Sequence, residues 1–567
     1  MTEPLPRSPV DALADGFWED FLQREPIYAT TLGDERYDER LGDPGPEGRA
    51  RERAAYDAVL AGAAAIDRAT LGVEDRITLD MLETVARVGL AQLDQELHQL
   101  AVVDQMAGPQ QIPGELAIFQ RVDSAERLER LLARLAVYPA YMSAWEGVLR
   151  DAVASGRMPA PAVMTRTIDQ VADLVATPIE EAPLLVRHPE LAEDDRRRIR
   201  EALERHVLPA QSRFLEALRA AAPHVRRGDG IWSTPGGDVA YRTAILASTT
   251  IDATPQELHD FGLQQLEGLD HERLAIAREL GHASTAELRT ALDADPANRA
   301  AEPGQLVELA RAQVERAAAA APAWFGRLPK AACVVEAVEP FRERDSPGAF
   351  YLPPTLDGSR PGIYYINTYQ PESRPLHRLA TTTFHEAVPG HHFQLAIEIE
   401  LPGLHPFRTQ GSRLAGVAYV EGWGLYSERL ADEMGLFLDP QERFGMLDAQ
   451  AFRAARLVVD TGIHAFRWER QRSVDFLTRI GLTPLEAETE TDRYIAWPGQ
   501  ALAYMTGQRE ILALRHELAA RDGSRFDLQR FHDEILGHAA LPLATLRHEL
   551  PNWVQPKGPG LSSSRPD

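Results

Sequence analysis

Apolar residues recur at steps of three and four along most of this 567-residue chain. Such spacing places the apolar side chains on one face of an α-helix, where they can pack into a core. The clearest periodic stretches are residues 124–155, 194–221, 254–280, 413–434 and 441–476. The sequence therefore predicts a mainly α-helical protein whose helices are of ordinary to generous length.

Segments typical of β-strands are few, and they lie close together in the chain. They are residues 333–338, 349–352 and 362–368, the last of which reads GIYYINT. We expect a small sheet at the rim of an interior cleft that helices line. An edge of GIYYINT could bind an extended peptide by strand addition, although an ordinary structural strand is the alternative interpretation.

The chain contains no long linker rich in Pro, Gly and Ser that would separate several domains. We predict an N-terminal helical lobe over residues 1–330 and a catalytic lobe over residues 331–555. A single continuous domain is the alternative. The composition of residues 556–567 is typical of a disordered tail.

Composition and charge exclude several classes of protein. The chain has 60 Lys and Arg against 85 Asp and Glu, and its formal net charge of −25 would repel nucleic acid. The single cysteine, Cys333, cannot form an internal disulfide, and the opening residues lack the apolar stretch of a secretory signal. No apolar run approaches the roughly 18 residues needed to cross a bilayer. These features predict a cytoplasmic protein that binds neither nucleic acid nor membranes.

One segment, TTTFHEAVPGHHFQ at residues 381–394, combines residues that bind metal with a residue that can act as a base. Neutral imidazoles bind zinc at about 2.0 to 2.1 Å, and a neighbouring glutamate can accept a proton from the water that zinc activates. His385 and Glu386 supply an imidazole and a carboxylate side by side. We therefore predict that His385 binds zinc (Zn²⁺) and that Glu386 is the general base.

The second histidine ligand does not follow the usual HExxH spacing, because the fourth residue after His385 is Pro389. On an uninterrupted helix His391 would lie about 9 Å along the axis from His385, and His392 about 10.5 Å, which one ion bridges poorly. Pro389 and Gly390 would break the helix and swing the next histidine back. We predict His391 as the ligand and His392 as a substrate contact.

A third ligand is expected from the next acidic helix, residues 416–430, which reads GVAYVEGWGLYSERL. Catalytic zinc sites commonly use two His, one Glu and a water molecule. Glu421 lies within an apolar run, where an unpaired carboxylate would be costly to bury, so we predict Glu421 as the ligand. Glu428, seven residues later, precedes charged residues and is predicted either to support a ligand or to face solvent.

Further polar residues downstream are candidates for contacts with a substrate. Oxyanion donors and cations that bind carboxylates are needed in hydrolysis, and His, Tyr and Arg supply them. The candidates are His464, Arg493, Tyr494, Tyr504 and Arg509. A nucleophile mechanism is less favoured, because the chain has no GxSxG motif and Cys333 lies in an apolar segment that raises thiol pKa.

These residues fall within patterns by which the sequence resembles the bacterial domain-of-unknown-function 885 family. That family has HEAxPGHxxQ, EGWxLYxE, DTGxH and RYxxxPGQAxAYxxG, and an opening similar to ATTLGDERYDERL. The matching segments are residues 385–394, 421–428, 460–464, 493–507 and 29–41. The resemblance therefore spans nearly the whole chain.

The resemblance implies a largely helical, zincin-like metallopeptidase fold with a small β-sheet beside a deep cleft, related to HExxH zinc peptidases with a Glu ligand. It implies a set of zinc ligands, which are His385, His391 and Glu421. It also implies Glu386 as the general base, with His464 and Tyr504 as analogues of oxyanion donors. Arg493, Tyr494 and Arg509 stay candidates for substrate binding.

The leading hypothesis is a zinc-dependent metallohydrolase that cleaves peptide bonds of short peptides. One alternative is a non-catalytic helical protein whose degraded zincin site binds peptides or a metal. Another is a hydrolase of a non-peptide amide or ester. The sequence leaves open the choice between exopeptidase and endopeptidase, the side-chain preference and the oligomeric state.

Overall fold

The structure of the protein, a computed structural model, describes residues 8–339, 343, 347–355, 358 and 360–554. The predicted disordered tail lies outside these residues. The helices of the first half are α1 (Pro9–Arg24), α2 (Pro26–Thr31), α3 (Pro46–Ala64), α4 (Val73–Asp94), α5 (His98–Ala101), α6 (Ile112–Phe119), α7 (Ala125–Ser155), α8 (Pro161–Ala176), α9 (Pro183–Val186), α10 (Glu193–Ala202), α11 (Leu208–Ala221) and α12 (Gly237–Thr249).

The remaining elements include the sheet and the helices that carry the predicted site. The strands are β1 (Cys333–Ala337), β2 (Ala349–Leu352) and β3 (Gly362–Ile366). The helices are α13 (Pro255–Glu279), α14 (Thr285–Ala294), α15 (Pro303–Ala320), α16 (Leu379–Glu386), α17 (His391–Glu400), α18 (Pro406–Gln410), α19 (Arg413–Glu433), α20 (Pro440–His464), α21 (Arg470–Ile480), α22 (Pro484–Ala496), α23 (Ala503–Asp522), α24 (Leu528–Leu536) and α25 (Leu543–Trp553). The prediction of a mainly helical protein with a small sheet is confirmed.

The helices begin and end where the sequence offers caps. The Thr254 hydroxyl accepts the backbone N–H of Glu257 at the start of α13, and the Glu257 carboxylate accepts the Thr254 backbone N–H. Helix α7 ends at Ser155, and the next residue, Gly156, has a φ of 75° that suits glycine. The predicted continuous helix over residues 441–476 is wrong, because α20 ends at His464 and Arg467 takes a φ of 59°. Periodicity continues through this break, which hides it in the sequence.

The chain divides into two compact units. Among the described residues, the first unit is residues 8–244, 462–474 and 485–498, and the second is made of those within 245–461, 475–484 and 499–554. This division differs from the predicted boundary at residue 330. Residues 245–330 belong to the second unit because their helices pack there, as α15 does against α16. Residue 330 lies just before strand β1, within the second unit.

The sheet of the second unit has the strand order β1, β3, β2. Strand β1 runs parallel to β3, with Val335 opposite Tyr364, and β2 runs antiparallel, with Tyr351 opposite Tyr364. Every residue of β3 is buried, as expected for a central strand. Because β3 is paired on both sides, it offers no edge to a peptide, and of the two interpretations of GIYYINT the ordinary structural strand is the one the topology favours.

In the first unit, a buried arginine holds the segment that contains RYDERL. The Arg134 guanidinium, which is inaccessible to solvent, donates to the carbonyls of Tyr37 and Arg40 at 2.7 and 2.8 Å and to the hydroxyl of Thr30 at 3.0 Å. A buried charge needs such partners to offset its loss of hydration. This segment therefore has a structural role. No helix among the described residues is both long and apolar enough to span a membrane.

Candidate metal centre

The chain breaks its helix at the Pro-Gly pair, as the sequence predicts. Helix α16 ends at Glu386, and α17 begins at His391. Gly390 has a φ of −78°, so a left-handed conformation is not the reason for glycine. A Cβ at this position would lie 1.8 Å from the carbonyl oxygen of His385. Glycine is therefore required by the close approach of two backbone segments, and that approach returns His391 towards His385.

Three side chains converge at this break. His385, Glu386 and His391 each offer one ligand atom, and these atoms lie within 4.8 Å of one another. The Nε2 atoms of His385 and His391 are each 3.8 Å from Oε2 of Glu421 on α19. The three predicted ligands and the predicted base thus meet at one place in the second unit.

His392 faces a different environment from its neighbour. Its Nδ1 is hydrogen-bonded to the Tyr351 hydroxyl at 2.7 Å, and the side chain is only 3% exposed. Burial lowers its pKa to about 4. The side chain therefore links α17 to β2, and its predicted role in substrate binding finds no support in these contacts.

Helix α19 presents Glu421, Gly424 and Glu428 at steps of three and four, which places them on one face. A Cβ on Gly424 would lie 2.8 Å from Nε2 of His385 and 3.0 Å from Cε1 of His391. Glycine is thus needed here because both imidazole rings lie against the helix backbone. The pattern EGWGLYSE contains this glycine, but its role depends on contacts that spacing does not reveal.

Glu428 contacts the predicted ligand His385 and does not face solvent. Its Oε1 accepts a hydrogen bond from Nδ1 of His385 at 2.9 Å, and the residue is 1% exposed. A carboxylate at Nδ1 keeps the proton on that nitrogen and leaves Nε2 free to bind a metal. Of the two predicted positions for Glu428, the contacts favour the one beside a ligand.

The pKa values of the cluster are shifted by burial and by the charges that its side chains place on one another. Burial lowers the pKa of His385, but hydrogen bonds to Glu421 and Glu428 outweigh it and raise this pKa to about 10. Burial raises the pKa of Glu421, yet the two histidines bring it down to about 2. Burial and the charge of His385 lower the pKa of His391 to about 3. Burial raises the pKa of Glu386.

The donor set fits zinc. Two imidazole nitrogens and one carboxylate oxygen are the ligands found in many catalytic zinc sites. In a tetrahedral site, ligand atoms at the usual distances from zinc lie about 3.4 Å apart. The observed distances of 3.8 Å from Glu421 to His385 and to His391 are close to that value. The Glu421 side chain is 23% exposed, so solvent reaches this side of the cluster.

Most of the chain matches a known protein family. Residues 26–550 match the family described as bacterial protein of unknown function, DUF885. The chain belongs to this family. No curated protein gives a significant match. The predicted membership is confirmed, whereas a relationship to zincins stays a prediction.

Two solved structures are similar to this DUF885 chain. One is described as a putative lipoprotein from Colwellia psychrerythraea, with 26% identity and a TM-score of 0.89, covering 96% of this chain and 99% of that one. The other is described as a putative lipoprotein of unknown function from Shewanella oneidensis, with 19% identity and a TM-score of 0.75, also covering 96% and 99%. The second similarity shows the fold alone.

The last DUF885 motif places Tyr504 in the same unit as the metal cluster. Helices α19 and α23 cross where Gly422 meets Gly507, since a Cβ on Gly422 would lie 2.5 Å from Cα of Gly507. The Arg456 guanidinium lies 4.5 Å from the Tyr504 ring centroid, and its charge helps lower the pKa of Glu421. Sequence reasoning missed Arg456, which no pattern distinguishes from other helix arginines.

Arg509, also on α23, is partly occupied by protein contacts. Its guanidinium pairs with Glu510 at 3.2 Å and lies 5.2 Å from the ring centroid of Phe261. The side chain remains 25% exposed. Its role in binding a substrate carboxylate therefore stays a prediction. A substrate carboxylate would compete with Glu510 for the Arg509 guanidinium.

His464 belongs to the first unit, where backbone groups occupy both of its ring nitrogens. Nδ1 accepts the N–H of Ile231 at 3.1 Å, and Nε2 donates to the carbonyl of Tyr494 at 2.9 Å. Burial lowers its pKa to about 3. A neutral, fully bonded imidazole has no N–H left for an oxyanion, so the predicted catalytic role finds no support here.

Arg493 and Tyr494 also belong to the first unit. The Tyr494 hydroxyl donates to Glu490 at 2.6 Å, and the residue is 1% exposed. Arg493 lies 3.6 Å from the same carboxylate and 5.9 Å from the Trp497 ring centroid. These contacts explain both residues as packing within their unit, and their predicted substrate contacts find no support in them.

Proposed function

We propose that this DUF885 protein is a zinc-dependent hydrolase that cleaves peptide bonds of short peptides. The observation that carries the proposal is the meeting of His385, His391 and Glu421, with Nε2–Oε2 distances of 3.8 Å, beside the carboxylate of Glu386. This arrangement combines three suitable zinc ligands with a potential base.

In this proposal His385, His391 and Glu421 hold the zinc ion, and Glu428 orients His385. Zinc, when bound, supplies Lewis acidity that polarises a carbonyl and makes water a stronger nucleophile. The Glu386 carboxylate accepts the proton of the attacking water and returns it to the leaving amine. Burial raises the pKa of Glu386, which makes this carboxylate a stronger base than an exposed one.

Tyr504 is the proposed donor to the oxyanion. It lies on α23, which crosses the ligand-bearing helix α19 at Gly507 and Gly422. The contact with Arg456 fixes the face of the ring. A hydroxyl donor of this kind stabilises negative charge as it develops on the carbonyl oxygen.

The deciding experiment compares Glu386→Gln with the wild-type protein. The variant keeps all three proposed ligands, so we expect stoichiometric zinc by elemental analysis and a loss of at least about 100-fold in hydrolysis of a peptide library read by mass spectrometry. Glu400→Gln is a matched control, because Glu400 lies at the far end of α17 and accepts backbone N–H groups of residues 330 and 331.

Retained hydrolysis in Glu386→Gln would contradict the assigned base. Zinc binding without hydrolysis in the wild-type protein would favour the non-catalytic alternative, in which the site binds peptides or a metal. Turnover of only a non-peptide amide or ester would keep the metal chemistry and replace the substrate class. If a cleft limits access, short peptides will be cleaved much faster than folded proteins.

The cellular location is a separate proposal. The sequence predicts a cytoplasmic protein, but the similar proteins from Colwellia and Shewanella are described as putative lipoproteins. That description favours a location at or beyond the membrane for those relatives. Cell fractionation with an antibody to this protein would decide whether it shares their location.

A further inference from the structure

Two buried glutamines outside the four motifs connect other helices to Glu428. The Gln450 side chain, on α20, donates through Nε2 to Oε2 of Glu428 at 2.9 Å and to the Leu425 carbonyl at 3.1 Å. The Gln508 side chain, on α23, donates to the same carbonyl at 2.9 Å and to Oε1 of Gln450 at 2.9 Å. Both residues are at most 3% exposed.

The orientation of both amides follows from their partners. A backbone carbonyl can only accept hydrogen bonds, and so can an ionised carboxylate. The Leu425 carbonyl and Glu428 therefore require the NH₂ groups of Gln450 and Gln508 to face them. Gln450 is then left with its Oε1 facing Gln508, and the Gln508 NH₂ group donates to it. The donor and the acceptor of every hydrogen bond in this series are therefore fixed.

The two carboxylate oxygens of Glu428 accept hydrogen bonds from different residues. Oε2 accepts from Gln450, while Oε1 accepts from Nδ1 of His385 at 2.9 Å. A carboxylate held at both oxygens cannot rotate without losing a buried hydrogen bond, and such a loss is costly. The position of Gln450 therefore limits how the His385 ring can turn.

We infer that Gln450, with Gln508 behind it, is a positioning residue of the metal site. It holds Glu428 in the rotamer that fixes the ring of His385, with Nε2 directed towards a divalent zinc-like cation. This inference rests on the proposed function, since it needs His385 to be a ligand. Residues that support ligands in this way typically change metal affinity about 10- to 100-fold when they are replaced.

The test is the zinc affinity of full-length Gln450→Met, measured by competition with a chelator. Methionine has nearly the same length but no N–H, so Glu428 loses one donor. We expect affinity to fall roughly 10- to 100-fold. The matched control is Gln211→Met in the first unit, where the buried amide donates to the Gln110 carbonyl at 3.3 Å. This control should lower the melting temperature of the metal-free protein and leave zinc affinity unchanged.

Gln508→Met gives a second, milder variant should Gln450→Met fail to fold. It removes the donor that holds the Gln450 amide while Glu428 keeps its partner, so we expect a smaller loss of zinc affinity than the 10- to 100-fold range. Wild-type affinity in the folded glutamine variants would overturn this inference alone, provided that the wild-type protein binds zinc and hydrolyses peptides. Absence of zinc binding in the wild-type protein would instead overturn the proposed function.

Discussion

Two buried histidines of this protein have both ring nitrogens in polar contacts, yet their surroundings give them opposite chemistry. His385 lies between the carboxylates of Glu421 and Glu428, and its pKa rises to about 10. His464 lies between two backbone groups, and its pKa falls to about 3. Carboxylates favour a cation at the imidazole, whereas burial among neutral groups excludes one. The partners of these two histidines, more than their burial, decide whether the pKa of the imidazole rises or falls.

The largest effect is expected from His391, the proposed second zinc ligand. His391→Ala should lose stoichiometric zinc and at least about 1,000-fold in peptide hydrolysis, because a two-ligand site binds zinc poorly. His392→Ala is the adjacent control, since its Nδ1 is bonded to Tyr351. It should keep zinc by elemental analysis. Loss of zinc from His392→Ala alone would transfer the ligand role to that residue.

A smaller effect is expected where the imidazoles lie against α19. Gly424→Ala places a methyl group 2.8 Å from Nε2 of His385, so the ring must move and zinc affinity should fall about 10-fold or more. Gly268→Ala in α13 is the control, because no atom lies within 4 Å of its added Cβ. That exposed helical change should stabilise the protein by up to about 1 kcal/mol in chemical denaturation. Equal zinc affinity in both variants would contradict the observed packing.

Replacement of His464 should reduce the stability of the protein and leave its zinc binding unchanged. His464→Gln leaves backbone groups of Ile231 and Tyr494 without well-placed partners, which should reduce the free energy of unfolding by about 1–3 kcal/mol. Zinc content should be unchanged, because backbone groups bond to both nitrogens of this ring. A variant of normal stability that lost hydrolysis would restore the catalytic role predicted from the sequence.

The smallest expected effect is on how the stability of the metal-free protein depends on pH, where His385 and His464 contribute in opposite directions. The pKa of His385 rises from 6.5 to about 10, so its contribution to stability is fully present below pH 6.5 and is lost as pH rises through 10. The pKa of His464 falls from 6.5 to about 3, so its contribution is present above pH 6.5 and is lost as pH falls towards 3. Unfolding midpoints across this range should show a weaker alkaline decline in His385→Gln and a weaker acid decline in His464→Gln. Unchanged declines would contradict these assignments.

The sequence predicts part of the site because that part is local. The break between His385 and His391 follows from Pro389 and Gly390, and a carboxylate within the apolar run around Glu421 needs a partner wherever its helix packs. The partners of His464 are different, because Ile231 is 233 residues away and offers only its backbone N–H. Every residue type has such a group, so no motif could reveal the contact.

The difference between local features and contacts of distant residues also explains which parts of the fold the sequence predicts. Helical periodicity is a property of neighbouring residues, and it predicts α13 and α19 nearly to their ends. The break after His464 and the division into two units depend on contacts between distant segments. Gln450 and Gln508 lie outside every recognised pattern for the same reason, since their roles arise only when α19, α20 and α23 pack together.

The glycine contact between α19 and α23 has a consequence for how the site tolerates change. A Cβ on Gly507 would lie 1.8 Å from the carbonyl oxygen of Ala418, so no layer of side chains separates these helices. Side chains between two helices normally absorb a small displacement by changing rotamer, and backbone atoms in contact cannot do so. Sliding of either helix along the other would therefore be resisted directly. Glu421 and Tyr504 therefore lie on two helices that move as one, and a substitution in either helix far from the proposed zinc ligands can shift both residues together.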